Sequence, residues 1–279
     1  MTKTTMLSAG LGALLAFAAC GDSTGPGSEE GPGPGEARLS IGFQTALGGS
    51  AAVAPAGDDR ISRNVAARSM TLTGSNGELT LDEIWLIVAE FELERAFDGD
   101  CFGESGGDND ACEKFQGPPQ FLPLPLDGGE TPAVSQDVPA DVYDELELEI
   151  EDLELDGDED NATAAELQAL FASIREQFPD WPRDASMLVI GSFTPTGGTA
   201  VPFRVFFEAE VEIELEFQPP LNLTEGATAT ATVVVDPALW FRLGDGTVQD
   251  LSQFTGQLVE FEAEIENGFF ELEWDELDD

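Results

Sequence analysis

From Phe203 to Phe217 the chain alternates without a break. Phe203, Val205, Phe207, Ala209, Val211, Ile213, Leu215 and Phe217 fall on one side, with Glu208, Glu210, Glu212, Glu214 and Glu216 on the other. A helix would scatter this set around its circumference, whereas an extended strand collects all eight apolar residues on one surface. The segment is committed to a sheet with one dry side and one anionic side. The same scheme recurs elsewhere. Leu39, Ile41 and Phe43 open the series. Ile84 to Arg95 begins apolar on both faces (IWLIVA), then sets Phe91 and Leu93 against Glu90, Glu92 and Glu94. Tyr143 to Asp156 sets Leu146, Leu148 and Ile150 against Glu145, Glu147, Glu149 and Glu151. The apolar phase then passes to Leu153 and Leu155, which predicts a β-bulge near Asp152.

Other segments fill out an all-β chain. Met187 to Phe193 reads as a buried strand and Thr228 to Val235 as a β-branched one. Val259 to Ile265 and Phe270 to Trp274 flank Asn267-Gly268, the signature of a terminal hairpin. One stretch departs from period two. Thr163-Ala164-Ala165-Glu166 matches a capping box, and Leu167, Leu170, Phe171, Ile174 and Phe178 then share a helical face until Pro179 ends it. The expected fold is an antiparallel β-sandwich with one amphipathic α-helix inserted around residues 163–178, laid over a sheet edge or end. A single β-sandwich domain would span residues 37–279, with residues 44–68 as a long loop.

Charge removes whole classes of function. The 279 residues carry 56 Asp and Glu against 11 Lys and Arg, a formal net charge of −45, and no histidine. Nucleic acid is excluded as a partner, because binding it requires a basic face that displaces counterions. Without imidazole there is no serine or cysteine triad and no ordinary zinc or copper site. Gly103-Glu104-Ser105-Gly106-Gly107 has the spacing of a nucleophile elbow, but it lies between two cysteines in a histidine-free chain and is rejected. Paired carboxylates could still hydrolyse a glycoside, yet among 56 acids the spacing nominates no pair. The chain reads as non-enzymatic.

Residues 1–19 read as an export signal, with Lys3 ahead of an uncharged run from Met6 to Ala19. As a helix those residues would reach about 21 Å, short of the roughly 30 Å hydrocarbon core. The run ends in Phe17-Ala18-Ala19-Cys20, which resembles the bacterial lipobox; an ordinary cleavable leader is the alternative. The resemblance implies that Cys20 is lipidated and becomes the new N-terminus, so that the membrane is a partner through that lipid. Gly21 after the cysteine resembles the pattern sorted to the outer membrane. Residues 20–36 would then be the lipidated cysteine and a Gly/Pro tether, GDSTGPGSEEGPGPGE, which has almost nothing to bury.

Four smaller features carry candidate chemistry. Cys101 and Cys112 are an even pair in an exported chain and are expected to form a disulfide across a polar loop, with a metal site as the rival. Asp156, Asp158 and Asp160 suggest an oxygen-only calcium site. The EF-hand frame itself fails, because Asn161 replaces the required Gly and Leu167 the bidentate Glu. Trp240-Phe241 is the aromatic pair expected to stand exposed, a platform for carbohydrate. The glutamate ladders read first as a solvated face. The sharper reading gives that face calcium, magnesium or a basic partner protein as ligand, with no other cofactor.

The tether, the strand pair containing ELTLDEIWLIVAEFELE and the segment SQDVPADVYDELELEI look similar to an uncharacterised group of bacterial lipid-anchored β-sandwich proteins. GSFTPTGGTAVPF and VVVDPALWF add to the likeness, and Asp141 stands where the group's turn usually has Gly. The resemblance implies a sandwich fold and placement at the cell envelope, and brings no catalytic residue with it.

Overall fold

A computed structural model describes residues 32–46, 69–96, 114–155, 162–266 and 269–273. The leader, Cys20, residues 21–31 of the tether, Cys101, Cys112, Asp156, Asp158, Asp160 and the Asn267-Gly268 turn lie outside the described residues, as do Gly103–Gly107 and most of the 44–68 loop. The strands are β1 (Glu36–Thr45), β2 (Met70–Gly74), β3 (Gly77–Arg95), β4 (Lys114–Gly117), β5 (Gln120–Pro123), β6 (Glu130–Pro139), β7 (Val142–Ile150), β8 (Met187–Pro195), β9 (Val201–Asn222), β10 (Thr228–Val235), β11 (Leu258–Glu266) and β12 (Phe269–Glu273). Helix α1 (Ala164–Gln177) joins β7 to β8, and the short α2 (Pro237–Phe241) follows β10.

Two sheets face one another. The smaller runs β10-β1-β6; the larger contains nine strands along the path β12-β11-β9-β7-β3-β2, with β4, β5 and β8 paired alongside β3. Most pairings are antiparallel, but β1 lies parallel to β10 and β9 parallel to β11. One continuous core joins the sheets: Leu39, Ile41 and Phe43 of β1 and Val233 and Val235 of β10 meet Leu146 and Leu148 of β7 and Val205, Phe207 and Ile213 of β9. Val211 and Ile213 are buried and Leu215 packs against the same core, as the alternation dictates. The terminal hairpin of β11 and β12 forms as read.

The long strand β3 keeps its apolar residues in that core by slipping phase twice. Asp82 and Ala89 are each one residue too many for the strand alongside, so the inward set passes from Leu79 and Leu81 to Ile84, Leu86 and Val88, then to Phe91 and Leu93. Each bulge reverses which parity faces inward. The second bulge lies opposite the end of β7, where Ile150 pairs with Val88. This corrects the bulge expected at Asp152: β7 stops at Ile150, and Leu153 leaves the strand for a second core. β8 takes over the place beside β3 from Met187 onward. Ser186 closes the junction, its Oγ 2.7 Å from both the Ala209 N–H, which donates to it, and the Ala209 carbonyl.

Helix α1 makes a third layer. Thr163 and Glu166 form the capping box, the Thr163 N–H donating to Glu166 Oε2 at 3.0 Å and the Glu166 N–H reaching Thr163 Oγ1 at 3.4 Å. The helix covers the outer face of the large sheet rather than its edge. Leu167, Ile174 and Phe178 pack with Trp181 on Ile87 and Ala89 of β3, Leu188 of β8 and Phe206 of β9. Around that contact Trp85 stacks on Phe121, Phe178 meets Trp85 edge to face, Trp181 meets Phe121 edge to face and Phe178 lies tilted against Trp181. No helix among the described residues is long and apolar enough to cross a membrane.

Candidate functional site

Beyond the helix the outer face of the large sheet is paved with glutamates, and strand register sets them in rows. Glu92 of β3 pairs with Glu147 of β7, which pairs with Glu214 of β9; in the next row Glu90 pairs with Glu149 and Glu149 with Glu212. The parallel β9–β11 register continues the rows to the positions of Glu266 and Glu264. Neighbours along a strand are about 6.6 Å apart and directly opposed residues about 5 Å. Two carboxylates at 5 Å repel by roughly 0.8 kcal/mol even at the dielectric of water. No single strand predicts this crowding; it arises because three strands present the same parity to one face.

Glu147 sits at the centre. One carboxylate oxygen from each of Glu147, Glu212 and Glu214 lies within 4.8 Å of the others. Burial among its neighbours' stems pushes its carboxyl up, and Glu92, Glu149, Glu212 and Glu90 push it further, from 4.5 to about 7. Glu149 is raised for the same reasons, burial first and then Glu90 and Glu212, and it shares a hydrogen bond with Glu90. At one border Lys114 places Nζ 2.9 Å from Glu92 Oε2, and Glu92 is 3 % exposed. The hydrogen bond to Glu92 holds the Lys114 ammonium in its charged form. Gln116 bridges the same pair of strands, its Nε2 donating to Glu90 Oε1 at 2.8 Å and Glu92 Oε2 at 3.2 Å. At the other border Asp152 and Glu208 are raised by burial, with added repulsion from Asp184 and Glu260 respectively.

This donor set is all oxygen. Ligands of one calcium ion lie at about 2.3–2.6 Å from it, so two of them stand at most roughly 5 Å apart. The Glu147–Glu212–Glu214 oxygens meet that limit. Burial and like charge account for the raised pKa of Glu147.

The other candidates fare differently. Trp240 is not a sugar platform: it is 0 % exposed, inside the main core with Phe241 and packed edge to face against Phe261. The turn that carries it is set locally, and the space between the sheets decides its direction. Asp236 caps α2, accepting from the Ala238 N–H at 3.0 Å, and Pro237 starts the turn that swings both rings inward. Asp-Pro ahead of an apolar run is a helix-start signal, legible in the sequence, whereas the burial of the rings that follow it is not. The calcium ligands proposed at Asp156, Asp158 and Asp160, the Cys101–Cys112 pair and the Cys20 lipidation site fall outside the described residues. The sequence located the ladders as solvated strand faces but not the Glu147–Glu212–Glu214 convergence, which depends on β7–β9 register. Comparison with family models, with curated proteins and with solved structures yields no match. The fold and this face therefore define the chain as a three-layer, glutamate-faced β-sandwich.

Proposed function

We propose that this chain is an exported, lipid-anchored, non-catalytic module that binds hard multivalent cations, calcium foremost, on the outer face of its large sheet. The observation that carries the reading is the convergence of Glu147, Glu212 and Glu214 inside a lattice of in-register carboxylates. Such a lattice is self-repelling, and a divalent ion relieves several repulsions at once while screening by monovalent salt relieves them diffusely. The leader ending at Cys20 supports placement at the cell envelope, probed by labelling with a palmitate analogue in the native chain and in Cys20→Ser.

Melting measured against CaCl2 and against NaCl at matched ionic strength tests the cation reading. Calcium at millimolar concentration is expected to raise the melting temperature beyond NaCl, by several degrees at a hundredfold excess over Kd. Glu212→Gln with Glu214→Gln should remove the difference. Identical curves for the two salts would end the proposal.

A further inference from the structure

A sheet edge offers unpaired N–H and C=O groups to any passing strand, and proteins ordinarily blunt such edges with charge, proline, shortness or a covering loop. This chain does so at almost every edge. β6 carries Glu130, Asp137, Pro132 and Pro139. β4 and β5 are four residues each, separated by Pro118 and Pro119. β12 is five residues long with Glu271 and Glu273. β2 is capped by the 242–248 segment: Arg242 donates to the Thr73 carbonyl at 3.1 Å, and the Ser75 N–H donates to Gly246.

Among the described strands β10 is the exception. Its eight residues, TATATVVV, contain no charge and no proline. The Arg38 N–H donates to the Ala227 carbonyl and the Ala46 N–H to Val235, so in this parallel pairing the odd-numbered residues of β10 face β1. Thr228, Thr230, Thr232 and Val234 direct their backbone groups the other way, where no described residue bonds them. The described residues expose three large apolar side chains, Val201, Val234 and Leu239; Val234 lies on this edge and Leu239 on the turn of helix that follows it.

We infer that β10 is an interface at which a second copy of this chain pairs, antiparallel and about a twofold axis, joining two small sheets into one of six strands. The choice of occupant follows from charge. Two chains of −45 repel wherever carboxylates meet, so they can approach closely only along a neutral surface. The symmetric register in which outward-facing groups bond sets Thr228 against the partner's Val234 and Thr230 against the partner's Thr232. The same register sets Asp236 against the partner's Gly226 and Glu225 against the partner's Pro237. No carboxylate of one copy directly opposes another in this register; Glu130 of β6 reaches Thr232 Oγ1 at 3.5 Å from the face of the sheet. The contact lies on the smaller sheet, away from the glutamate face, and does not depend on what that face binds.

Sedimentation velocity of the mature chain in EDTA, at about 0.05 M and about 0.5 M NaCl, tests this. EDTA removes bridging by calcium, so a failure here is distinct from a failure of the cation reading. The expected result is a doubling of mass with protein concentration, reached at lower concentration in high salt, where the screening length falls to roughly 4 Å. Thr230→Pro removes an outward N–H the fold does not use and should weaken association at least tenfold. Should that variant fail to fold, Thr230→Glu with Thr232→Glu sets carboxylates across the seam at two exposed or half-exposed positions and should do the same with an unchanged circular dichroism spectrum. A chain that stays monomeric in high salt, or dimers that survive both changes, would overturn the inference.

Discussion

Replacing Glu147 by Gln tests the electrostatic account of the acidic face most directly. The folded carboxyl titrates at about 7 and the unfolded one near 4.5, so between those values the native state holds a proton that the unfolded state has lost. Stability from this group is complete below pH 4.5 and is lost as pH rises through 7. The interval of about 2.5 units would correspond to roughly 3.4 kcal/mol at 1.36 kcal/mol per unit. Glu147 is only half-buried, and solvent screening reduces the expected effect to about 1–2 kcal/mol. Native chain should therefore lose about 1–2 kcal/mol more than Glu147→Gln between pH 5 and pH 8, and the variant should be the more stable of the two at pH 8. Urea denaturation at both values, in low and high NaCl, reads this, with the gap narrowing in salt. Equal pH slopes for the two proteins would refute the argument, since crowding of Glu92, Glu149, Glu212 and Glu90 around position 147 could then not be raising its pKa.

Two further outcomes bear on the border of the face and on the core. Lys114→Met removes the ammonium from Glu92, leaving a buried carboxylate without its ion pair, and should cost about 2–3 kcal/mol in urea denaturation. Because the Lys114 pKa is raised, that contribution persists through neutral pH and is lost only as pH climbs through the folded value in alkali. Trp240→Ala should destabilise by about 3–5 kcal/mol, as loss of a core indole does; a stable variant would contradict the burial of Trp240.

The alternation in Phe203 to Phe217 was enough to commit that segment to a strand and to choose its wet face, because a period of two has one structural solution. Thr163 with Glu166, and Pro179 after Phe178, likewise delimited α1 to within a residue or two, since capping is a contact between near neighbours. What the chain could not reveal locally concerns residues brought together from far apart. Leu153 and Leu155 read as a phase slip, but only the handover from β7 to β8 beside β3 shows that the strand ends there and that the bulge belongs to Ala89. Trp240 sits on a turn whose direction is decided by the space between the sheets. The glutamates were individually legible as exposed strand positions; that Glu147 meets Glu212 and Glu214 follows from a register formed across some sixty residues of sequence. A strand dictates which way its own side chains point, whereas the carboxylates each of them meets are chosen by the strands that pack alongside.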